Sequence, residues 1–464
     1  MLLPTRHDMR AMARLALPVV TVQVGLMLMG VVDTIMVGRV SPAALAAVAL
    51  GNLYFYQATI FGAGVIMALD PVVAQAVGAR DRRAVSRAMQ RGFVIAVIVT
   101  LISSGLLLTA QPVLTALRQP AEVVPTAAAY AWWCIPGVLP FFAFVVMRQT
   151  LQAMGRLRPI VSAIVIGNLI NVAANWWLIY GGLGVPPLGA EGSAIASSVS
   201  RWCMTGVLAA LTWPELRGHL RSIGRGTLRL APVTRMLRLG MPIGLQQQLE
   251  AGAFAVIALM MGGFGTVEVA AHQVAINLAS LTFMVPLGIG AAAAVTVGHA
   301  IGRDDAPGAR RSATAALLLG GAVMSASALL FTVVPELLAR VYSPAPAVVA
   351  LAAALIPIAG VFQIFDGLQV VSAGVLRGAG DTRAPLVMNL LGFWVIGTPV
   401  SVWLGYYTPL GPRGLWWGLV IGLAAVAVFL LLRIRHRFAG SLHRVVIDEG
   451  THDYVHELGL DAAD

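Results

Sequence analysis

RLGMPIGLQQQLEAGAFAVIALMMG, residues 238–262, opens on Arg238 and then runs apolar with a single carboxylate, Glu250, in its middle. At 1.5 Å per helical residue, Glu250 lies roughly 18 Å beyond Arg238, near the centre of a hydrocarbon layer about 30 Å thick. A charge at that depth costs between about 2.5 and well over about 10 kcal/mol, depending on how it is measured. A chain seldom turns such a residue to lipid. Glu250 is therefore read as facing a wet cavity and binding something cationic.

The surrounding chain fits that reading. Of 464 residues, 58% are apolar and 11% charged, the balance of a polytopic membrane protein. Lysine is missing, and all 31 basic residues are arginine. The net charge of +11 does not point to nucleic acid, because the arginines fall in short clusters between apolar runs, without a basic domain. Cys134 and Cys203 each stand alone in an apolar run and give neither a disulfide framework nor metal-ligand spacing. The first apolar run is too long for a signal-peptide core and lacks a small-residue cleavage site, so it reads as an uncleaved span.

Twelve apolar runs between residues 14 and 433 are long enough to cross a bilayer. Arginine gathers on one side: 6–14, 80–91, 156–158, 217–235, 303–311, 377–383 and 433–437. The opposite loops hold only Arg39, Arg118, Arg340 and Arg413. Both termini are thus expected on the cytoplasmic side. The halves repeat: RLALP (14–18) matches RLGMP (238–242), AVGARD (76–81) matches AIGRDD (300–305), LQAMGRLR (151–158) matches LRGAGDTR (376–383), and PLGAEG (187–192) matches PLGPRG (409–414). Six spans per copy, an even number, make this a parallel repeat about a pseudo-two-fold along the membrane normal. The expectation is an all-α protein of two six-helix bundles, 1–213 and 238–433. A cytoplasmic linker at 214–237 joins them, and a mobile acidic tail follows at 434–464.

Four acids fall well inside spans: Asp33, Asp70, Glu250 and Asp366. Shifted by the repeat offset they meet Ile257, Ala294, Leu26 and Phe141, so the scaffold is duplicated and the acids are not. Unpaired acids point to a site. Asp366, eleven residues before Arg377, shares the depth of Glu250. Two close buried carboxylates can hold a proton or exchange it for Na⁺ or an organic cation; the competing reading is a structural acid paired with His272. Asp33 lies roughly 28 Å beyond Arg14, toward the far side, where pairing with Arg39 is the alternative. Asp70 before Pro71 reads as an N-cap restarting a broken helix. Asn168, Asn171 and Asn175 share one helical face and either glue helices or line a cavity. Gln246, Gln247 and Gln248 are equally open. Arg201, inside the sixth span, reads as structural, neutralised by an acid or snorkelling.

MGVVDTIMVGRVSPAALAAVALGN, QQQLEAGAFAVIALMMGGFGTVEVAAHQVAINLASLTFMVPLGIGAA and VFQIFDGLQVVSAGVLRGAGDTR together closely resemble the multidrug and toxic compound extrusion (MATE) transporters, in their NorM-like branch. The resemblance runs to about residue 433 and implies twelve helices, alternating access, and export of cationic or amphipathic drugs against Na⁺ or H⁺ from a bacterial inner membrane by a single chain. It implies Glu250 and Asp366 as the cation-coupling acids, and as Na⁺ ligands if Na⁺ is the ion. Asp33 with Asn171 and Asn175 forms the proton or substrate site, and Gln246, His272, Asn277, Phe362 and Asp70 are accessory candidates. Two positions depart from the family pattern. Phe362 stands where some relatives carry a tyrosine, and Asp70 where a neutral residue is expected.

The partners expected are small cationic drugs and membrane lipid, with no cofactor beyond the coupling ion and no nucleic acid. The alternative transporter, a flippase for an anionic lipid-linked precursor, wants an arginine-rich cleft, and only Arg201 and Arg148 offer that charge. A membrane enzyme is disfavoured, since the spans contain no HExxH, nucleophile elbow or Cys/His cluster.

Overall fold

The computed structural model describes residues 2–182, 184–220 and 229–448. Among the described residues, twelve helices are long and apolar enough to cross a membrane. The first six are α1 (Arg6–Gly38), α2 (Pro42–Gly78), α3 (Arg82–Leu108), α4 (Val124–Ala153), α5 (Arg158–Tyr180) and α6 (Gly189–Leu220). The second six are α7 (Leu230–Gly262), α8 (Thr266–Gly302), α9 (Ala306–Val333), α10 (Pro346–Gly378), α11 (Arg383–Tyr406) and α12 (Pro412–Ala439). Helix is what an apolar run must form in lipid, where every backbone N–H and C=O needs a partner within its own segment.

Helix ends are written locally. Thr5 and Asp8 cap α1 reciprocally, Ser41 caps α2 ahead of Pro42, and Asp81 and Asp305 cap α3 and α9 through the N–H groups of Ala84 and Gly308. The repeat is visible in the backbone. Arg80 and Asp304, equivalent in AVGARD and AIGRDD, both have φ of 58°. Gly155 and Gly380 match at 73° and 77°, a left-handed turn that glycine adopts without a Cβ penalty, and Gly189 and Gly411 match at 54° and 55°.

Several boundaries differ from expectation. Segment 214–237 is not all linker: α6 continues to Leu220 and α7 starts at Leu230, while 221–228 lie outside the described residues. The tail is not free from its start. Residues up to Ala439 belong to α12 and 441–448 are docked; 449–464 lie outside the described residues. Helix α2 breaks at Met67–Ala68 and resumes at Leu69, so Asp70 stands second in the new turn and not at its cap. Pro71 is still within the first turn, where its missing N–H leaves no bond unmade. Helix α4 carries a 3-10 turn at Ile135–Gly137, and α11 a π-helical stretch at Leu390–Gly397.

Two large hydrophobic cores form, one chiefly from residues 19–236 and one chiefly from residues 253–438, with Met12 and Ala16 of α1 packed into the second. The halves meet closely near the arginine-rich end. A Cβ on Gly302 would overlap the Gln75 carbonyl, and one on Gly240 the Val65 carbonyl. Gln75 Nε2 donates to Gly378 O at 2.9 Å, and His299 Nε2 lies 2.7 Å from Ala153 O. Asp70 and Arg377 form a buried ion pair across the halves, Oδ2 to Nε 3.0 Å. It falls outside hydrogen-bond geometry, so it is a charge contact.

An irregular C-terminal segment, 441–448, ties the same end together. Val445 N–H donates to Gln75 Oε1 at 2.7 Å and Arg235 donates to Ile447 O at 2.9 Å. Asp448 binds Arg91 at 2.7 Å and Arg87 at 3.2 Å. The Arg91 side chain is only 2% exposed, and Asp448 is the carboxylate that meets it.

Candidate functional site

The C-terminal half gathers the acids. Glu250 on α7 is half-buried, and its Oε2 accepts from Gln369 Nε2 of α10 and Asn389 Nδ2 of α11, both at 3.2 Å. Asp366 is 5% exposed and lies one helical turn from Gln369, close enough to Glu250 for their charges to act on each other. Neither acid is ion-paired among the described residues, and Asp366 Oδ1 and Gln369 Oε1 are buried without a hydrogen-bond donor. Two acceptor oxygens beside a carboxylate form an all-oxygen set suited to a proton or a hard monovalent cation. Among the described residues no three His, Cys, Asp or Glu side chains come together as a metal site.

The floor beside this pair is aromatic. Phe362 meets Phe254 edge-on at 5.9 Å and Trp416 at 5.7 Å, and His272 tilts over Trp416 at 5.5 Å. The expected alternative, an acid paired with His272, is not what forms. Gln363 instead accepts from Thr282 and Ser327 at 2.7 and 2.9 Å. Asn389 stands immediately before the π-helical stretch, whose wide turn also lets Trp394 Nε1 donate to Leu249 O at 3.1 Å.

In the N-terminal half the candidate acid, Asp33, is satisfied. Asp33 is 6% exposed; Oδ1 takes Asn175 Nδ2 at 2.5 Å and Oδ2 takes Ser197 Oγ at 2.7 Å. Asn175 also donates to Asn171 Oδ1 at 3.1 Å, so the predicted trio is one network. Arg39 has no part in it. Asn168, on the same face, is helix glue, donating to Gly25 O of α1 at 3.0 Å. Arg201 lies 3.9 Å over the Phe55 ring and within charge range of Asp33.

The accessory candidates scatter. Gln246 is buried on α7, and Asn277 is exposed with its Oδ1 taking Gln273 at 3.3 Å, away from the acids' bonding network. Asp70 belongs to the ion pair with Arg377 and not to the cation site. Sequence reasoning missed Gln369, Asn389 and Ser197. The first had a signal, three residues after Asp366 on one helix face; the other two had none.

A family model described as MatE matches residues 18–177 and again 242–403, once in each half. The chain belongs to the MatE family. The two MatE segments open on Pro18 and Pro242, the equivalent prolines of RLALP and RLGMP. Among curated relatives, the chain is 37% identical over 433 residues to "Multidrug resistance protein NorM" of Burkholderia vietnamiensis, spanning 91% of this chain and 92% of that one. It is 34% identical over 437 residues to "Multidrug resistance protein MdtK" of Pectobacterium atrosepticum, spanning 92% and 95%. The fold is that of the eukaryotic MATE transporter AtDTX14, TM-score 0.86 at 23% identity over 92% of this chain and 96% of that one. It is equally that of a multidrug resistance MATE family transporter of the MOP superfamily solved facing outward, TM-score 0.83 at 21% identity over 93% and 96%. The chain is a multi-pass membrane protein with bacterial relatives, of a transporter family and not an enzyme family.

Proposed function

We propose that this protein is a secondary active efflux transporter, exporting cationic or amphipathic compounds in antiport with H⁺ or Na⁺ loaded at Glu250 and Asp366. The observation that carries the reading is the pair of donorless buried oxygens, Asp366 Oδ1 and Gln369 Oε1, beside the half-buried carboxylate of Glu250. Loading a proton or Na⁺ there removes the repulsion between two carboxylates and supplies what those oxygens lack. The fit of α7, α10 and α11 then changes, and the halves rock about their contact. Coupling follows because ion and drug prefer opposite states of that equilibrium.

Asp33, Asn171 and Asn175 form the substrate-side site, where the fully bonded carboxylate gives a cationic drug a fixed counter-charge. The arginine bias supports a cytoplasmic arginine-rich end in a bacterial inner membrane, with both termini inside and one chain as the transporting unit. A flippase for an anionic precursor is less supported: Arg201 is spent on Phe55, and Arg148 donates to Gln23 at 2.9 Å.

In reconstituted vesicles, adding a cationic drug such as ethidium should release protons if H⁺ couples. A Na⁺-dependent response without proton release identifies Na⁺. Absence of both ion responses while drug still moves against its gradient contradicts antiport.

A further inference from the structure

At the arginine-rich rim, the early turns of α7, the α10–α11 loop and the C-terminal segment 441–448 line an open cavity of about 260 Å³. Its charged lining is Arg235, Arg238 and Arg383 with one acid, Asp381. That acid is already committed: Oδ2 takes Arg433 Nε at 2.7 Å and Oδ1 the Ala384 N–H at 3.3 Å. Arg235 is held to the wall by the Ile447 carbonyl at 2.9 Å, while Arg238 and Arg383 are exposed. Leu239 and Val446 give the same cavity an apolar side, Val446 being 63% exposed.

Depth completes the picture. Arg238 lies roughly 18 Å along α7 from Glu250, and the headgroup layer ends about 20–22 Å from the bilayer midplane. The cavity is therefore level with lipid headgroups. Guanidinium forks match phosphate oxygens in pairs, and basic pockets between membrane helices take phospholipid headgroups.

We propose that this cavity binds the phosphate headgroup of an anionic phospholipid, with Arg238 and Arg383 on the phosphate and Val446 and Leu239 against the upper acyl chain. The site is at the rim and not in the cleft between the halves, so it is a bound-lipid site, independent of the efflux reading. Its wall, residues 445–447, belongs to the C-terminal segment tied to α2 and α3. A seated headgroup therefore leans on the clasp that joins the halves.

The test uses full-length protein in phosphatidylcholine nanodiscs with added phosphatidylglycerol, retained lipid being counted by native mass spectrometry. Wild type should keep phosphatidylglycerol in preference to phosphatidylcholine. Arg238→Gln and Arg383→Gln should each weaken that retention roughly fivefold. Val446→Glu, which puts a carboxylate in the cavity, should abolish it, and the melting curve of each variant serves as the folding control. Retention unchanged in the double arginine variant overturns the site. Competition by inorganic phosphate or glycerol phosphate at the affinity of the lipid overturns the lipid assignment in favour of a soluble phosphate ligand.

Discussion

The two halves use carboxylates in opposite ways. Asp33 has a donor on each oxygen, whereas Asp366 keeps one buried oxygen without any. An acid with a donor on each oxygen has its polar needs met within the protein, and an under-satisfied one offers a seat for a proton or ion. Glu250 stays charged-competent because Gln369 and Asn389 donate to it. Hydrogen bonds to charged groups are worth about 1.5–3 kcal/mol each. Each donor favours the unloaded carboxylate, so Gln369→Ala or Asn389→Ala should tighten apparent proton affinity roughly ten- to hundredfold, read from the pH dependence of efflux. Ser197→Ala should instead alter drug affinity and leave the ion dependence unchanged. The acids themselves were legible in the sequence, since only a wet or protein-facing position tolerates a carboxylate at mid-depth. Their amide partners were less so: Asn389 reaches Glu250 only through the packing of α11 on α7, which helical spacing within one span does not encode. Asn277 is exposed and its Oδ1 accepts from Gln273 of its own helix.

At the scale of elements, the repeat was legible because its loops carry the same backbone demands twice, as the matched angles at Arg80 and Asp304 record. What escaped was everything that breaks the pattern: the π-helical stretch in α11, the restart of α2 one residue before the expected cap, and the docked segment 441–448. An acidic, polar tail reads as solvated unless its partners are known, and here they are Arg87 and Arg91, more than 350 residues earlier. Burial pushes the Asp448 carboxyl up, but the hydrogen bonds and charges of Arg91 and Arg87 outweigh it and hold the carboxyl below its usual value. A depressed carboxyl stabilises docking above its free value of about 3.9 and loses that contribution as pH falls through the lowered value. Protection of this segment in hydrogen exchange should therefore be constant near neutrality and fall in acid, and Asp448→Asn should lose it at all pH. Gly302→Val tests the neighbouring contact. Overpacking against the Gln75 carbonyl should cost about 1–3 kcal/mol and open the arginine-rich end, as read by cysteine cross-linking between α2 and α8.

For the whole molecule, the close contacts, the buried Asp70–Arg377 pair and the docked C-terminal segment all fall toward one end of the boundary between the halves. Breaking a buried pair by removing one partner costs about 3–5 kcal/mol, since the other charge stays buried. Asp70→Asn should thus lower thermal stability in detergent markedly, and Asp70→Asn with Arg377→Gln should recover much of the loss. Class, helix count and parallel repeat were all readable from arginine bias and motif offset; the closed end was not, because both conformations of a rocking pair share one sequence. The account stands on Glu250 and Asp366 carrying the ion that drives export. Its most direct test is gradient-driven ethidium efflux from proteoliposomes holding wild type, Glu250→Gln or Asp366→Asn, each checked for folding by its melting curve. The prediction is that both variants fold and bind ethidium but no longer pump it when the ion gradient is imposed. Wild-type pumping by both would contradict the account.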